Sequence, residues 1–409
     1  MKIWMKYLMG AILGAVLALA IPLDDTGLRS ALSFLFDLSI RIGRYALVPL
    51  VLFSVPVAVF ERNEDKELWK SLGRSLLLLI AAVAVLSLLG VVVAAAVKPG
   101  RIPLVADAAS AGRAPDIKDL LFAIFPESPF AALASGRFLL PTYFLALLLG
   151  LAFSHDRAAT KPVVQIFDSL SRIFYQINSF FVEFLGVLII AATAGNVVEL
   201  RAAARSEVYR PLLITVGAET LVVALVVIPA VIWFFGGRKN PYRVLYGLLA
   251  PSVAALVSGD LYFSLGALMK HEKESLGVRR RSSMLDVPLA AICGRAGTAM
   301  VTSTAFIVVL SSYSNLGVSP ASLLQIVIFA PFATLLVGAS PDKGAMAALM
   351  SVCALYGKGF ENGFLIAAPV ALPLVAMGAF LDALWAGAAS LLLARKSGLA
   401  QEKEARFFV

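Results

Sequence analysis

Few residues of this 409-residue chain carry side chains able to do chemistry inside its long apolar stretches. Arg295 lies in LAAICGRAGTAMVTSTAF, residues 289–306, within an apolar run from Met284 to Leu310. An arginine at mid-helix in a hydrocarbon layer costs at least about 2.5–3.5 kcal/mol, so it must face a cavity or a partner. Snorkelling cannot relieve it, because either end of the run is about ten or more residues away. A guanidinium matches a carboxylate, either in a fixed ion pair or on an anionic ligand, and Asp260 and Asp382 are the partners expected. Thr298 offers a hydroxyl that either reads a polar ligand or bonds back to a carbonyl one turn earlier. Asp382, in FLDALW, is a carboxylate in an apolar helix, which is functional by default. The chemistry on offer is ion pairing and polar recognition. No His, Cys, Asp and Glu share metal-ligand spacing and no nucleophile stands beside a base, so no enzyme is expected. Cys293 and Cys353 fall in apolar stretches and read as small core hydrophobes, while His155 and His271 fall in charged loops.

The setting of these residues follows from composition. Hydrophobic residues make up 60% of the chain and charged ones 15%, against roughly half and a quarter in soluble domains. Apolar runs of about 18 or more residues recur, which is the signal of membrane-spanning helices. The first, Tyr7 to Pro22, lacks a small-residue cleavage pattern and reads as a retained first helix. The net charge of +9 does not indicate nucleic acid, because the basic residues fall in short loops. With a cytoplasmic N-terminus the inner loops hold about twenty Lys and Arg and the outer ones about nine, which predicts that both termini are cytoplasmic.

The spans expected are 7–22, 31–60, 72–97, 128–153, 162–196 and 211–236, with 98–127 as an exposed external connection. After Asn240 the pattern changes. Val244 to Lys270 is apolar, is interrupted at Pro251-Ser252 and Ser258-Gly259-Asp260, and has basic flanks at both ends. A segment entering and leaving on one side predicts a re-entrant hairpin with its tip at 252–260. Leu323 to Tyr356 repeats the pattern with flanks poor in basic residues and a break at 338–344, where Gly338 and Gly344 permit a tight tip. There Asp342 and Lys343 form either a local turn pair or a gate. A further span follows each hairpin, 284–312 and 363–394. Two such units of opposite entry form an inverted repeat, and interrupted half-helices in corresponding positions point to a midplane site. Arg41, Arg44, Arg137 and Arg172 read as headgroup-level cations.

The chain resembles the dicarboxylate/amino acid:cation symporter family, the glutamate transporter homologues, as a divergent member. The resemblance covers nearly the whole chain and rests on FLFDLSIRIGRYALVPLVLFSVPVAVFE at 34–61, FPESPFAALASGRFLLPTYFLALLLGLAF at 125–153, VPLAAICGRAGTA at 287–299 and the two hairpins in order. It implies an all-α polytopic membrane protein of eight transmembrane helices plus two re-entrant helical hairpins, an elevator-type transporter assembled as a homotrimer in the plasma (inner) membrane. Residues 1–236 would be mainly scaffold and trimerisation helices, with some joining the transport domain. Residues 237–396 would form the core transport domain, and 397–409 a cytoplasmic tail.

The departures from the family are concentrated at its ion and substrate positions. The family's Asn-Met-Asp-Gly-Thr falls on Gly294, Arg295, Ala296, Gly297 and Thr298, so both side-chain oxygen ligands for sodium are absent and an arginine stands between them. Asp382 matches the aspartate that holds a substrate amino group, while Trp385 replaces the arginine that reads an acidic side chain. A further sodium-ligating aspartate falls near Leu393. Ser258, Gly259 and Asp260 replace the serine-rich first tip, and Pro341 and Gly344 belong to the second. The expected substrate site is therefore Thr298, Asp382, Ser258, Gly259, Asp260, Pro341, Gly344 and Trp385, with Arg295 as a tethered cation flanked by Gly294, Ala296 and Gly297. The expected function is secondary transport of a small amino acid or dicarboxylate, with sodium coupling weakened or lost and no cofactor. A conventional sodium-coupled symporter is one alternative. An anion channel or transport-inactive sensor is the other.

Overall fold

The computed structural model describes residues 2–22, 26–103, 122, 126–128, 133, 139–204, 207–313, 318–337 and 344–409. The expected connection at 98–127, the first part of the 128–153 span, Arg137, and the second tip with Gly338, Pro341, Asp342 and Lys343 fall largely or wholly outside them. The described residues are helical, with one isolated antiparallel bridge between Val278 and Ala400. Seven helical segments are long and apolar enough to cross a membrane, so this is a multi-pass membrane protein.

The first helices are α1 (Ile3–Ala20), α2 (Thr26–Arg44), α3 (Leu47–Glu64) and α4 (Leu68–Val97). They are followed by α5 (Leu139–His155) and the 48-residue α6 (Arg157–Ala204). The expected 31–60 span lies within one apolar segment, Gly27–Glu64, in which a local break at Tyr45-Ala46 divides α2 from α3. Next, α7 (Arg210–Val222) runs through a π turn into α8 (Ile228–Phe235). Two pairs of helices packed on each other follow, each ahead of a long helical segment. The first pair is α9 (Tyr242–Ser258) and α10 (Leu261–Glu274), leading to α11 (Arg280–Cys293) and α12 (Ala296–Tyr313). The second is α13 (Pro320–Val337) and α14 (Gly344–Tyr356), leading through a 3-10 turn at Gly363–Val370 to α15 (Ala371–Lys396).

Packing sorts these elements. Helix α6 carries α1, α2 and α3, and α3 also lies along α5. Helix α4 lies along α12, which packs on α15, and α9 packs on α15 from another side. Many large side chains stay exposed, such as Ile12, Leu13, Val16 and Leu17 of α1; in a membrane these meet lipid, so exposure costs nothing. Helix association there rests on close backbone approach rather than on hydrophobic burial. Gly10 and Gly14, four apart on α1, provide it: a Cβ at Gly10 would lie 2.4 Å from the Gly186 carbonyl oxygen, and one at Gly14 would lie 2.4 Å from that of Ile190. Gly14→Leu should push α1 off α6 and cost about 1–3 kcal/mol, read as a lower thermal midpoint in detergent. An unchanged midpoint would show that this crossing does not hold α1.

Polar bonds join the α6 group to the rest. The Asn178 amide donates to the Gly266 carbonyl at 3.0 Å, and the Asn196 amide donates to the carbonyls of Leu256 and Val257 at 3.3 and 3.2 Å. Lys270 pairs with Glu183 at 3.0 Å.

Candidate functional site

The first turn is built by three consecutive residues. Gly259 ends α9 with φ +65°, a left-handed conformation suited to glycine, its N–H bonding the Ala255 carbonyl at 2.9 Å. Asp260 then starts α10, its carboxylate accepting from the N–H groups of Tyr262 at 2.9 Å and Phe263 at 3.0 Å. Ser258 closes the turn, donating to the Ala254 carbonyl at 2.6 Å and accepting from the Asp260 N–H at 3.1 Å. The break is confined to Gly259-Asp260 rather than extending to residue 252. Pro251 and Ser252 lie within α9, since one lost helix bond is tolerated where neighbouring helices bury the backbone.

The second break separates α11 from α12 at Gly294-Arg295, where the Ala296 N–H turns back to the Gly294 carbonyl at 2.8 Å. Gly297 then brings α12 against α15 with backbones nearly touching; a Cβ there would lie 2.3 Å from Leu381 Cβ and 2.7 Å from the Gly378 carbonyl oxygen. That approach aligns two bonds to the Asp382 carboxylate, from the Thr298 N–H at 3.0 Å and the Thr298 hydroxyl at 2.5 Å. Both residues are buried. The pairs converge on the same place: a Cβ on Gly259 or on Gly344 would lie 3.5 Å from Val375 Cγ1, and the latter 3.9 Å from Thr298 Oγ1. Thr302 bonds the Ala345 carbonyl at 3.3 Å, tying α12 to α14. Thr298, Asp382, Gly259 and Gly344 are thus brought together. Trp385, one turn past Asp382 and on the same side of α15, is buried, with no hydrogen-bond partner for its indole N–H among the described residues.

Arg295 is 3% exposed. Its Nε donates to the Ala291 carbonyl at 3.2 Å, at the C-terminal end of α11, and its guanidinium lies over the Tyr262 ring of α10, 5.1 Å from the centroid. A helix C-terminus and an aromatic face both favour a cation. Neither carboxylate expected as a partner lies within ion-pair distance of it. Asp382 is engaged by Thr298, and Asp260 pairs with Arg44 of α2 at 2.5 Å. Arg44 is therefore a partner of the first turn rather than a headgroup-level cation. Arg172 pairs with Asp168 at 2.9 Å.

Several buried polar groups escaped sequence reasoning, among them Glu272 and His271, which lie within α10 rather than in a loop. Two of the others tie helices together. Glu219 of α7 accepts from the Thr304 hydroxyl at 2.8 Å while its other oxygen has no partner among the described residues; a lone carboxylate in the apolar 211–236 span was the available signal. The second is Arg62, which bonds Asp286 at 3.0 Å and Ser282 at 2.9 Å, with Ser75 completing the Asp286 carboxylate at 3.2 Å. Nothing local in the sequence links positions so far apart. Among the described residues no three or more His, Cys, Asp or Glu gather as a metal site. The backbone carbonyls of Gly294 and Arg295 accept from Ala296 and, at 3.0 Å, from Ala299.

A description of the sodium:dicarboxylate symporter family matches residues 3–395. The chain is 24% identical to the serine/threonine transporter SstT of Enterococcus faecalis over 357 residues, 86% of this chain and 81% of that one. It is 23% identical to SstT of Acinetobacter baylyi over 387 residues, 93% and 90% of the two chains. Human neutral amino acid transporter A is 24% identical over 226 residues, 53% of this chain but 41% of that protein's length.

Proposed function

We propose, from the premise that this chain belongs to the sodium:dicarboxylate symporter family, that it is a secondary carrier of a small neutral amino acid. The family and the relatives named above are transporters, not enzymes. The observation that carries the choice of substrate is the buried Asp382 carboxylate held by Thr298 close to the first turn and to the start of α14. A carboxylate in that place suits a substrate ammonium group. The N-termini of α12 and α14, starting at Ala296 and Gly344, carry positive partial charge suited to the substrate carboxylate. Trp385 adds no charge to bind a second carboxylate, so an amino acid is favoured over a dicarboxylate. The names of the relatives, serine/threonine and neutral amino acid transporters, support the same choice.

In this reading α9–α10 and α13–α14 are re-entrant hairpins entering from opposite sides, eight further helical spans complete the chain, and both termini are cytoplasmic. Residues 237–396, joined by α4 and the α7–α8 segment, move as the transport unit of an elevator against α1–α3, α5 and α6 within a homotrimer. Ser258 and Asp260 shape the first tip, while Pro341, outside the described residues, would belong to the second. Arg295 is a tethered cation near Gly294, Ala296 and Gly297. Being covalent, it travels with the transport unit but cannot be released on the far side as an ion is, so coupling to sodium is weakened or lost. The family description favours a second reading, conventional sodium symport.

Counterflow tests the carrier. Proteoliposomes loaded with unlabelled serine or threonine should accumulate the labelled amino acid transiently, and internal succinate should not drive it. Absence of counterflow with any small amino acid would support a channel or a sensor instead.

A further inference from the structure

The N-terminal part of α4 and the C-terminal ends of α8 and α15 meet around a cavity of about 710 Å³. Its walls are apolar: Leu77, Leu78 and Ala81 come from α4, Leu392 and Leu393 from α15, and Phe235 from α8. Its rim is cationic, formed by Arg74, Arg395 and Lys396, and no acidic side chain lines it. Greasy walls below a charged rim are the reverse of a solvated loop, where cations are interspersed with acids.

The local bonds leave most of this charge unspent. Arg395 donates to the Gly236 carbonyl at 3.1 Å, an approach that the bare Gly236 allows, since a Cβ there would lie 2.8 Å from Arg395 Nη1. Among the described residues Arg74 and Lys396 enter no ion pair, and Glu402 of the tail is taken by Lys239 at 2.7 Å. The dipole of α15 accounts for cations at its C-terminal end, Arg395 and Lys396, but gives nothing to Arg74 near the N-terminal end of α4. A ligand that needs all three cations is the simpler explanation.

The depth of the cavity is marked by aromatics. Trp233, Phe234 and Phe235 are exposed side by side at the end of α8, and Arg238 lies over the Trp233 ring, 5.8 Å from the centroid. Such residues gather at the membrane–water interface. The basic loops place this end at the cytoplasmic leaflet, the side where anionic lipids attract Lys and Arg.

We propose that this groove is a binding site for an anionic phospholipid, its phosphodiester between Arg74, Arg395 and Lys396 and one acyl chain along Leu77, Ala81 and Leu393. The occupant is a lipid rather than a soluble phosphate because the larger part of the lining is apolar and open to the bilayer side, where Leu77 is 72% exposed. The site is independent of which substrate is carried or which ion is coupled.

The test is lipid retention by the full chain reconstituted in three parts phosphatidylcholine to one part phosphatidylglycerol, extracted and weighed by native mass spectrometry. The wild type should retain phosphatidylglycerol in preference to phosphatidylcholine and melt higher with it than in phosphatidylcholine alone. Removing two headgroup-level charges in R74Q/K396Q should weaken retention about 30-fold and abolish the melting shift. A81F, which fills the apolar half and leaves every cation in place, should also lose retention, so the result does not hang on one variant folding. Equal retention by the wild type and both variants would overturn the proposal. So would protection by sn-glycerol 3-phosphate alone equal to that by the lipid, which would reassign the cluster to a soluble anion.

Discussion

Asp382→Asn should abolish amino acid uptake while leaving the protein folded. The Asp382 carboxylate accepts two bonds from Thr298 at the place where α12, α15, the first turn and the start of α14 come together. Asparagine keeps one acceptor for the Thr298 N–H, and the Thr298 hydroxyl can turn to accept from the new amide. Stability should therefore fall by only about 1 kcal/mol, the value of one ordinary hydrogen bond. Loss of a buried charge facing a substrate ammonium is a different matter, costing about 2–5 kcal/mol, or roughly 30- to several-thousand-fold in affinity. Counterflow should then vanish at substrate concentrations that saturate the wild type, with the thermal midpoint nearly unchanged. A variant that melts normally and transports normally would show Asp382 to be a helix-packing residue.

Arg295→Met should cost transport more than stability, and the magnitudes say why. Placing the cation costs about 2.5–3.5 kcal/mol. The bond to the Ala291 carbonyl returns about 1.5–3 kcal/mol as a charged hydrogen bond, and the Tyr262 face up to about 2. These nearly cancel, so methionine in a site of this shape should shift stability by no more than about 1–2 kcal/mol. If the fixed positive charge beside the break between α11 and α12 serves transport as proposed, the rate should fall at least about tenfold, equivalent to 1.4 kcal/mol. Sodium should not rescue it, because Gly294 and Ala296 contribute no side-chain oxygen. Arg295→Lys keeps the charge without the planar stacking group, and should retain an intermediate rate. Wild-type transport in Arg295→Met would make the arginine incidental.

Much of this arrangement was legible in the sequence, because membrane insertion leaves few places for polar groups. Apolar length located the spans, and the run Ser258-Gly259-Asp260 located a turn, since a glycine followed by a capping residue readily ends one helix and begins another. Pro251 misled for a physical reason: buried on all sides, a proline costs one bond and the helix continues through it. Residues 31–60 read as one span and lie in one apolar segment, Gly27–Glu64, whose local break at Tyr45-Ala46 no glycine or proline signals. Partnerships were the least legible feature. Arg295 and Asp260 were matched as opposite charges, but Asp260 belongs to Arg44 and Arg295 to a carbonyl and an aromatic ring. The Arg62–Asp286 pair is invisible before folding for the same reason. Which of several buried charges meet is decided by how helices cross, and no local pattern encodes that.

The central claim is that the arginine stands where relatives in this family hold sodium, so that substrate movement does not draw on a sodium gradient. The most direct measurement is uptake of labelled serine or threonine into wild-type proteoliposomes, with an inward sodium gradient and with sodium replaced throughout by choline. Equal initial rates in the two conditions are the expected result. A saturable, many-fold stimulation by sodium would contradict the claim and return the chain to conventional sodium symport.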